Sequence, residues 1–339
     1  MDVNILKATI EQMTALGKGI LAADESNPTI AKRFASIQVE STEENRRAYR
    51  ELLFTTPELN QFISGVILFE ETLYQKTLSG MLFPEFLQKV GILPGIKVDK
   101  GLVDLVNTKG EKMTQGLDGL AVRLKEYSTK GVRFAKWRAI FTISDATPSK
   151  ILMKTNANNL AQYAAICQSH NIVPIVEPEV LIDGEHSIEK AARVSEKVLS
   201  AVFRALYKYH VSLEHMILKP SMITPGKNSV QTVTKEAIAK WTIKIFRRTV
   251  PAAVPTINFL SGGQSPIEAT ENLNAINQLG PHPWNLSLSY GRALQEPCLK
   301  AWSGKENNFQ TAQAALLHRA KCNSAACLGK YTANMDEKK

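Results

Sequence analysis

The stretch Ile217-Leu218-Lys219-Pro220 is a short apolar run that ends in a lysine and is closed by a proline. This pattern predicts a buried β-strand with Lys219 at its carboxyl end. A lysine held in apolar surroundings is desolvated, which favours its neutral amine, and a neutral amine is a nucleophile that can form a Schiff base with a carbonyl compound. The alternative is a surface lysine whose stem covers apolar side chains. The first interpretation predicts that other strands end beside Lys219 and form a site with it. The second does not.

Seven other runs share this character, since each is short and largely apolar and either leads into glycine, serine or a charged residue or carries charged residues within it. Together the eight runs occupy residues 19–23, 66–69, 95–99, 134–140, 172–176, 215–218, 257–260 and 284–290. Runs of this kind are typical of strands that are buried on both faces of a parallel sheet. Helical patterns follow the fourth to seventh runs, at residues 156–170, 186–210, 234–250 and 265–279. The last pattern begins with Ser265-Pro266-Ile267-Glu268, which predicts an N-cap serine, a proline in the first turn and a capping-box glutamate.

Eight strands that alternate with helices predict an α/β fold, a single (β/α)₈ TIM barrel over residues 1–331 with a helical C-terminal extension. No linker or shift in composition divides the 339 residues. The structural alternative is a doubly wound open sheet, but the glycine fingerprint expected after its first strand is replaced by Ala22-Ala23-Asp24-Glu25-Ser26. Residues 332–339 are polar and predict a short, solvated and disordered tail.

The composition limits the class of protein. A charged content of 22% and a hydrophobic content of 44% are those of an ordinary globular domain, and no run approaches the roughly 20 apolar residues of a membrane span. The N-terminus lacks the basic and then apolar order of a secretory signal, which predicts a cytoplasmic protein with no membrane partner. The four cysteines, Cys167, Cys298, Cys322 and Cys327, form no Cys-x-x-Cys pair, which favours free thiols.

The net charge of +9 raises the question of nucleic-acid binding. The 41 lysines and arginines are dispersed among 32 acids, and the densest cluster, Arg46-Arg47, follows Glu43 and Glu44 on a predicted helix. This arrangement favours a solvated helix face with local ion pairs, and we expect no nucleic-acid partner. A modest positive field would also steer a small anionic substrate.

The candidate site consists of the residues at the carboxyl ends of the predicted strands, because chemistry gathers at that face of a barrel. These residues are Asp24, Lys97, Lys136, Arg138, Glu177, Lys219, Ser261-Gly262-Gly263 and Gly291-Arg292. Together they would supply a nucleophilic amine, carboxylates for proton transfer and several cations. Cations near Lys219 would also disfavour its protonated form, because like charges repel.

Ser261-Gly262-Gly263 and Gly291-Arg292 follow the seventh and eighth runs, where barrels commonly bind phosphate. Glycines let backbone N–H groups approach the phosphate oxygens, and Arg292 adds a forked donor. The alternative is an ordinary turn at Ser261-Gly262-Gly263. The six histidines show neither His-x-His nor His-x-x-x-His spacing, so we expect no metal and no cofactor at the site.

The chain closely resembles class I, Schiff-base-forming fructose-bisphosphate aldolases. Stretches such as Ala23-Asp24-Glu25-Ser26 and Leu218-Lys219-Pro220 carry the resemblance. The matching stretches lie at residues 17–26, 42–47, 95–101, 114–120, 134–138, 175–179, 218–220, 259–265 and 289–293. The resemblance runs from about residue 14 to Tyr331.

The resemblance implies reversible cleavage of fructose 1,6-bisphosphate to dihydroxyacetone phosphate and glyceraldehyde 3-phosphate through a Schiff base on Lys219. It implies that Glu177 shuttles protons, that Asp24 takes the proton from the hydroxyl at carbon 4 and that Lys136 lies beside the imine. The substrate-binding residues that it implies are Arg33, Thr29, Lys97, Arg138, Ser261, Gly262, Gly263, Ser289, Gly291 and Arg292. Most members of the family are homotetramers, so the resemblance also implies a homotetramer.

The sequence departs from the family at two points. Thr29 stands where the family has serine, which keeps a hydroxyl group. Well-studied animal members end in a tyrosine that assists proton transfer at the enamine carbon, whereas this chain ends in a tail without an aromatic residue. The tail is therefore expected to be dispensable for carbon–carbon cleavage.

Three alternatives remain at this point. One is a transaldolase-like Schiff-base barrel, which would act on other sugar phosphates. Another is a pyridoxal-phosphate barrel, in which a lysine holds the cofactor near a glycine-rich phosphate site. The third is a non-catalytic scaffold with a basic surface, against which the presence of Asp24, Glu177 and Lys219 argues.

Overall fold

The computed structural model describes residues 1–337, and eight parallel strands in it close into one barrel. Their order around the barrel is β1-β10-β9-β8-β7-β6-β3-β2. The barrel strands are β1 (Gly19–Ala23), β2 (Ile63–Leu68), β3 (Leu93–Lys97), β6 (Phe134–Phe141), β7 (Val173–Val180), β8 (Ile217–Leu218), β9 (Thr256–Phe259) and β10 (Asn285–Tyr290). The predicted (β/α)₈ barrel is confirmed, and each of the eight predicted runs contributes one strand.

Helices surround the barrel and extend beyond it at the C-terminal end. Within the described residues the helices are α1 (Val3–Met13), α2 (Asn27–Ala35), α3 (Glu43–Phe54), α4 (Glu70–Tyr74), α5 (Phe83–Lys89), α6 (Leu120–Thr129), α7 (Lys150–Ser169), α8 (Ile188–Lys208), α9 (Lys235–Thr249), α10 (Pro266–Gln278), α11 (Arg292–Trp302), α12 (Phe309–Cys327) and α13 (Asn334–Glu337). The capping box predicted at the start of α10 is present, since Ser265 and Glu268 exchange side-chain and backbone hydrogen bonds. No helix of the described residues is long and apolar enough to cross a membrane.

The amino end of the barrel is closed by an apolar plug. Leu6, Ile10 and Met13 of α1 pack in one buried cluster with side chains that fill the barrel interior, among them Phe134 and Ile217. Because this end is filled, only the carboxyl end of the barrel can hold a cavity for a ligand.

Some local features differ from the sequence prediction. A two-stranded antiparallel sheet of β4 (Leu102–Asp104) and β5 (Lys112–Thr114) was not predicted, because these strands are short and largely exposed and carry no apolar run. Helix α7 begins at Lys150, six residues before the predicted start, because Ser149 provides the N-cap. The helix was missed there because its first turns carry no apolar periodicity.

The prediction of solvated arginines at the start of α3 is wrong. The side chains of Arg46 and Arg47 are only 14% and 15% exposed. Arg46 forms a bidentate pair with Glu71, at 2.5 and 2.8 Å, and Arg47 pairs with Glu44 and with Glu51. The ion pairs were foreseen, but Glu71 comes from another helix, and sequence spacing could not reveal that contact.

The C-terminal segment is folded as far as Glu337, and the expected solvation of Asp336 is wrong. Helix α13 packs against α12, and the Asp336 carboxylate pairs with the buried Arg319 and accepts a hydrogen bond from the Tyr331 hydroxyl. Met335 of this helix also packs against the hydrophobic core, and the ion pair compensates the buried charge of Arg319. Lys338 and Lys339 lie outside the described residues.

We expect Gly95→Ala to destabilise the barrel. A methyl group at Gly95 would lie well inside the contact distance of the Phe134 ring, and overpacking of this kind costs about 1–3 kcal/mol. Urea unfolding followed by circular dichroism measures the change. On a Phe134→Leu background the same substitution should cost less, since the smaller side chain makes room. An equal cost on both backgrounds would show that the ring is not the cause.

Candidate active site

A cavity of about 390 Å³ opens at the carboxyl end of the barrel strands. All fourteen residues predicted from the sequence line it: Asp24, Thr29, Arg33, Lys97, Lys136, Arg138, Glu177, Lys219, Ser261, Gly262, Gly263, Ser289, Gly291 and Arg292. The site thus contains residues from seven barrel strands or the segments that directly follow them. The strand-end argument predicted eleven of these residues, and the family resemblance implied Thr29, Arg33 and Ser289.

Strand register explains why the charged residues meet. Lys97 of β3 lies beside Lys136 of β6, and Arg138 of β6 lies beside Glu177 of β7. Lys219, directly after β8, continues the pairing with β7, since its backbone N–H donates to the Val176 carbonyl at 2.8 Å. Side chains of successive strands therefore project into one space at nearly the same height.

Glu177 joins the two lysines at the centre of the site. Its Oε1 lies 3.1 Å from the Nζ of Lys219, and its Oε2 lies 3.3 Å from the Nζ of Lys136. Lys136 also approaches Asp24 at 2.7 Å. The four side chains are almost fully buried, so their charges interact with little screening by water.

Neighbouring charges fix the protonation of Asp24 and Lys136. Burial raises the pKa of the Asp24 carboxyl, but the ammonium groups of Lys136 and Lys219 outweigh burial and hold that pKa well below its usual value. Burial lowers the pKa of Lys136, but the carboxylates of Asp24 and Glu177 outweigh it, and the pKa lies well above its usual value. At neutral pH Asp24 is therefore a carboxylate and Lys136 an ammonium ion.

The two lysines differ in the number of carboxylates that surround them. Lys136 lies within 4.0 Å of Asp24, Glu177 and Asp99. Within residues 1–337, Lys219 has a carboxylate at that distance only in Glu177. Three carboxylates stabilise an ammonium ion far more than one does, so the geometry favours Lys219 as the amine that can be free to react.

One wall of the cavity offers backbone and hydroxyl donors. Gly262 and Gly263 have φ of 32° and 83°, in the region that favours glycine, and a Cβ at Gly262 would lie 2.7 Å from Leu260. Arg292 donates to the Gln264 carbonyl at 3.3 Å and forms no ion pair within the described residues. The buried Ser289 hydroxyl has no hydrogen-bond partner among these residues. This wall is suited to an anion.

The opposite wall carries cations that are held by carboxylates. Lys97 pairs with Asp99 at 2.7 Å, and the Nε of Arg138 pairs with Glu179. Such pairs fix the direction of a long cationic side chain before any ligand arrives. Glu179 thus orients the Arg138 side chain.

Arg33 is positioned in a similar way by Glu25. The Glu25 carboxylate is almost fully buried and also contacts Arg50 at 2.8 Å, while Gln295 donates to it at 2.9 Å. The sequence prediction missed Glu25 and Asp99 as site residues. Both are carboxylates at or just past the end of a strand, and this signal could have found them.

A larger groove, of about 630 Å³, lies outside the barrel between α7 and α8. Lysines and arginines dominate its rim, and its single acid, Glu196, pairs with Arg248. It lacks paired lysines and carboxylates, so it has no means of proton transfer. The barrel cavity is therefore the candidate active site although it is smaller.

Known proteins resemble this chain over most of its length. A sequence model of the family described as class-I fructose-bisphosphate aldolase matches residues 5–339. The chain is 61% identical over 316 residues to cytosolic fructose-bisphosphate aldolase 4 of Arabidopsis thaliana, covering 93% of this chain and 80% of that one. It is 58% identical over 327 residues to a cytoplasmic isozyme of Spinacia oleracea, covering 96% and 91%.

A solved structure is also similar over nearly its whole length. It is fructose-bisphosphate aldolase from Plasmodium falciparum, in a complex with TRAP and a small-molecule inhibitor. It superposes with a TM-score of 0.96 at 53% identity and covers 97% of this chain and 96% of that one.

We expect Lys136→Met to raise the pKa of Asp24. Removing the ammonium group removes the strongest effect that opposes burial and leaves only Lys219 and Lys97 against it, so protonation of Asp24 should begin at higher pH than in the wild type. Infrared difference titration against Lys136→Met/Asp24→Asn would assign the carboxyl band. Lys136→Arg keeps the charge and should leave the pKa of Asp24 low. A similar rise of this pKa in Lys136→Met and Lys136→Arg would rule out the charge as the cause.

Proposed function

Because this chain belongs to the class I fructose-bisphosphate aldolase family and is an aldehyde-lyase of that class, we propose how its cavity residues divide the reaction. The observation that carries the proposal is the unequal surroundings of two buried lysines that share Glu177. Lys219 is the nucleophile, and Lys136 stays charged beside it.

The reaction begins when the neutral amine of Lys219 adds to the carbonyl at carbon 2 of fructose 1,6-bisphosphate. As the amine adds, the carbonyl oxygen takes a proton from solvent and becomes a hydroxyl. Glu177 receives the proton that the amine loses and returns it to this hydroxyl, which leaves as water. A protonated imine remains on Lys219. Glu177 suits this role because its Oε1 lies 3.1 Å from the lysine nitrogen.

Carbon–carbon cleavage then uses the imine as an electron sink. Asp24 takes the proton from the hydroxyl at carbon 4, the bond between carbons 3 and 4 breaks, and its electrons pass to the imine to form an enamine. Glyceraldehyde 3-phosphate leaves. Protonation at carbon 3 and hydrolysis of the imine then release dihydroxyacetone phosphate. The low pKa of Asp24 keeps it ionised and able to accept a proton.

Two walls of the cavity account for the two phosphates. Strands β9 and β10 lie across the barrel from β3 and β6, and β7 and β8 lie between them on one side. Ser261, Gly262, Gly263, Ser289, Gly291 and Arg292 bind the phosphate on carbon 1. Lys97 and Arg138 bind the phosphate on carbon 6, and Arg33 and Thr29 complete the substrate contacts. This spacing favours a substrate with a phosphate at each end over one with a single phosphate.

The cavity is lined by six cationic side chains and five carboxylates. The cationic side chains outnumber the carboxylates by one. The two phosphates of the substrate supply the anionic groups that these cations bind. Binding energy from these remote groups can be used to position the reacting bond.

We also assign the chain to the cytosol, in line with the names of the relatives above.

Borohydride with dihydroxyacetone phosphate should trap a covalent adduct on Lys219. Reduction fixes the imine, and peptide mapping locates it. Lys219→Arg should be inactive and give no adduct, because a guanidinium remains protonated. Lys136→Arg is the matched control: it should lose turnover yet still form the adduct on Lys219. An adduct on Lys136 would reverse the assignment.

Glu177→Gln should lower kcat by about 10²–10⁴-fold, the usual contribution of a positioned acid–base group. Substrate affinity should change less, since Glu177 contacts the lysines and not the phosphate-binding residues. Steady-state kinetics with fructose 1,6-bisphosphate separate the two effects. Near-normal turnover in Glu177→Gln would remove it from proton transfer.

We also propose a homotetramer, the assembly that the family resemblance implies. Multi-angle light scattering on the purified chain should then give four times the 37.5 kDa mass of one chain. A mass of one or two chains across the working concentration range would contradict this proposal.

A further inference from the structure

Three side chains of different types converge outside the active site, where the C-terminal segment meets α12. His318 and Cys322 lie one turn apart on α12, and Asp336 comes from α13. The distances are 3.7 Å from His318 Nε2 to Cys322 Sγ, 3.8 Å from that sulfur to Asp336 Oδ1 and 3.6 Å from His318 Nε2 to Asp336 Oδ1. None of the three lines the active-site cavity.

These atoms form a nearly equilateral triangle of one nitrogen, one sulfur and one oxygen. A tetrahedral zinc ion with bonds of about 2.0–2.3 Å holds its ligand atoms about 3.3–3.6 Å apart. The triangle therefore needs to contract by only a few tenths of an ångström. Nitrogen and sulfur ligands together favour zinc over magnesium or calcium, which prefer oxygen.

We propose that His318, Cys322 and Asp336 bind a zinc ion that fastens the C-terminal segment to α12. The His318 side chain is 38% exposed, so the ion has a path from solvent and water can occupy the fourth position. Binding replaces the thiol proton of Cys322, which passes to solvent. The thiolate and the Asp336 carboxylate then supply two negative charges against the two of the ion and the one of Arg319, so the site keeps one net positive charge.

Arg319 is the main competitor for the Asp336 carboxylate, because its Nη2 contacts the same Oδ1. The other carboxylate oxygen, Oδ2, accepts from the Tyr331 hydroxyl and lies 3.5 Å from Arg319 Nη1. Arg319 Nη1 also donates to Thr270 at 3.2 Å. When the ion takes Oδ1, Arg319 and Tyr331 hold Oδ2 and orient the carboxylate, as hydrogen bonds around metal ligands commonly do.

Cobalt(II) titration of the full-length protein, followed by zinc competition, tests the site. One cobalt ion per chain should bind, with a visible tetrahedral spectrum and a near-ultraviolet thiolate-to-metal band, and zinc should displace it. Replacing a residue that hydrogen-bonds to a metal ligand usually weakens metal binding by about 10–100-fold, and replacing the ligand itself should cost at least as much. Cys322→Ser should therefore lose the thiolate band, and Cys322→Ser and His318→Gln should each weaken binding by about 100-fold or more.

Cys327→Ser is the matched control, since this thiol is on the same helix but outside the triangle. It should keep both the band and the affinity. Circular dichroism checks that each variant is folded. His318→Gln should remain folded, because the His318 side chain is partly exposed and its replacement leaves the core intact. Absence of a thiolate band in the wild type, or its persistence in Cys322→Ser, would overturn the site.

The fastening role has its own readout. Zinc should slow carboxypeptidase digestion of the C-terminal segment about tenfold or more in the wild type and have little effect in His318→Gln. Zinc binding without such protection would overturn this role. A chelator should leave aldol cleavage unchanged, because the site is separate from the cavity; loss of cleavage, restored by zinc, would contradict both the separation and the Schiff-base mechanism.

Discussion

The active site depends on one carboxylate that two buried lysines share. Glu177 contacts Lys219 with one oxygen and Lys136 with the other. Each of these charges would be costly to bury alone, and each is tolerated because the others compensate it. In the proposed mechanism this carboxylate links Lys136, which stays charged, to Lys219, which reacts, and it would give proton transfer between substrate and Lys219 a fixed route.

The barrel makes this arrangement possible because its strands hold neighbouring side chains in register. Strand β7 pairs over all eight residues with β6, which places Glu177 beside Arg138. Strand β8 has only two residues, yet it holds Lys219, because the backbone of Lys219 continues the hydrogen bonding to β7. The apolar plug from α1 fills the other end, and the cavity opens at the end where these side chains converge.

A second set of carboxylates lies around this centre, and one of them, Asp99, also lies 4.0 Å from Lys136. Asp99, Glu179 and Glu25 hold Lys97, Arg138 and Arg33 respectively. A long cationic side chain loses conformational freedom when it binds a phosphate, and these pairs impose that loss during folding instead. The wall formed by Gly262, Gly263 and Arg292 does not use such pairs. Its two glycines expose backbone N–H groups, and Arg292 forms no ion pair within the described residues.

The sequence alone determined the fold and most members of the site. Strand periodicity, the alternation with helices and the residues that end each strand depend on local chemistry, so the barrel and eleven of the residues that line the cavity could be predicted from them. Thr29, Arg33 and Ser289 came from the family resemblance, and Glu25 and Asp99 were missed. The tertiary structure decided which charges touch: that Lys136 and not Lys219 is surrounded by three carboxylates, that Glu71 reaches Arg46, and that Asp336 leaves solvent to pair with Arg319. The spacing of His318 and Cys322 is also visible in the sequence, but their meeting with Asp336 is not. Contacts between distant segments depend on strand register and helix packing, and no spacing along the chain encodes those distances.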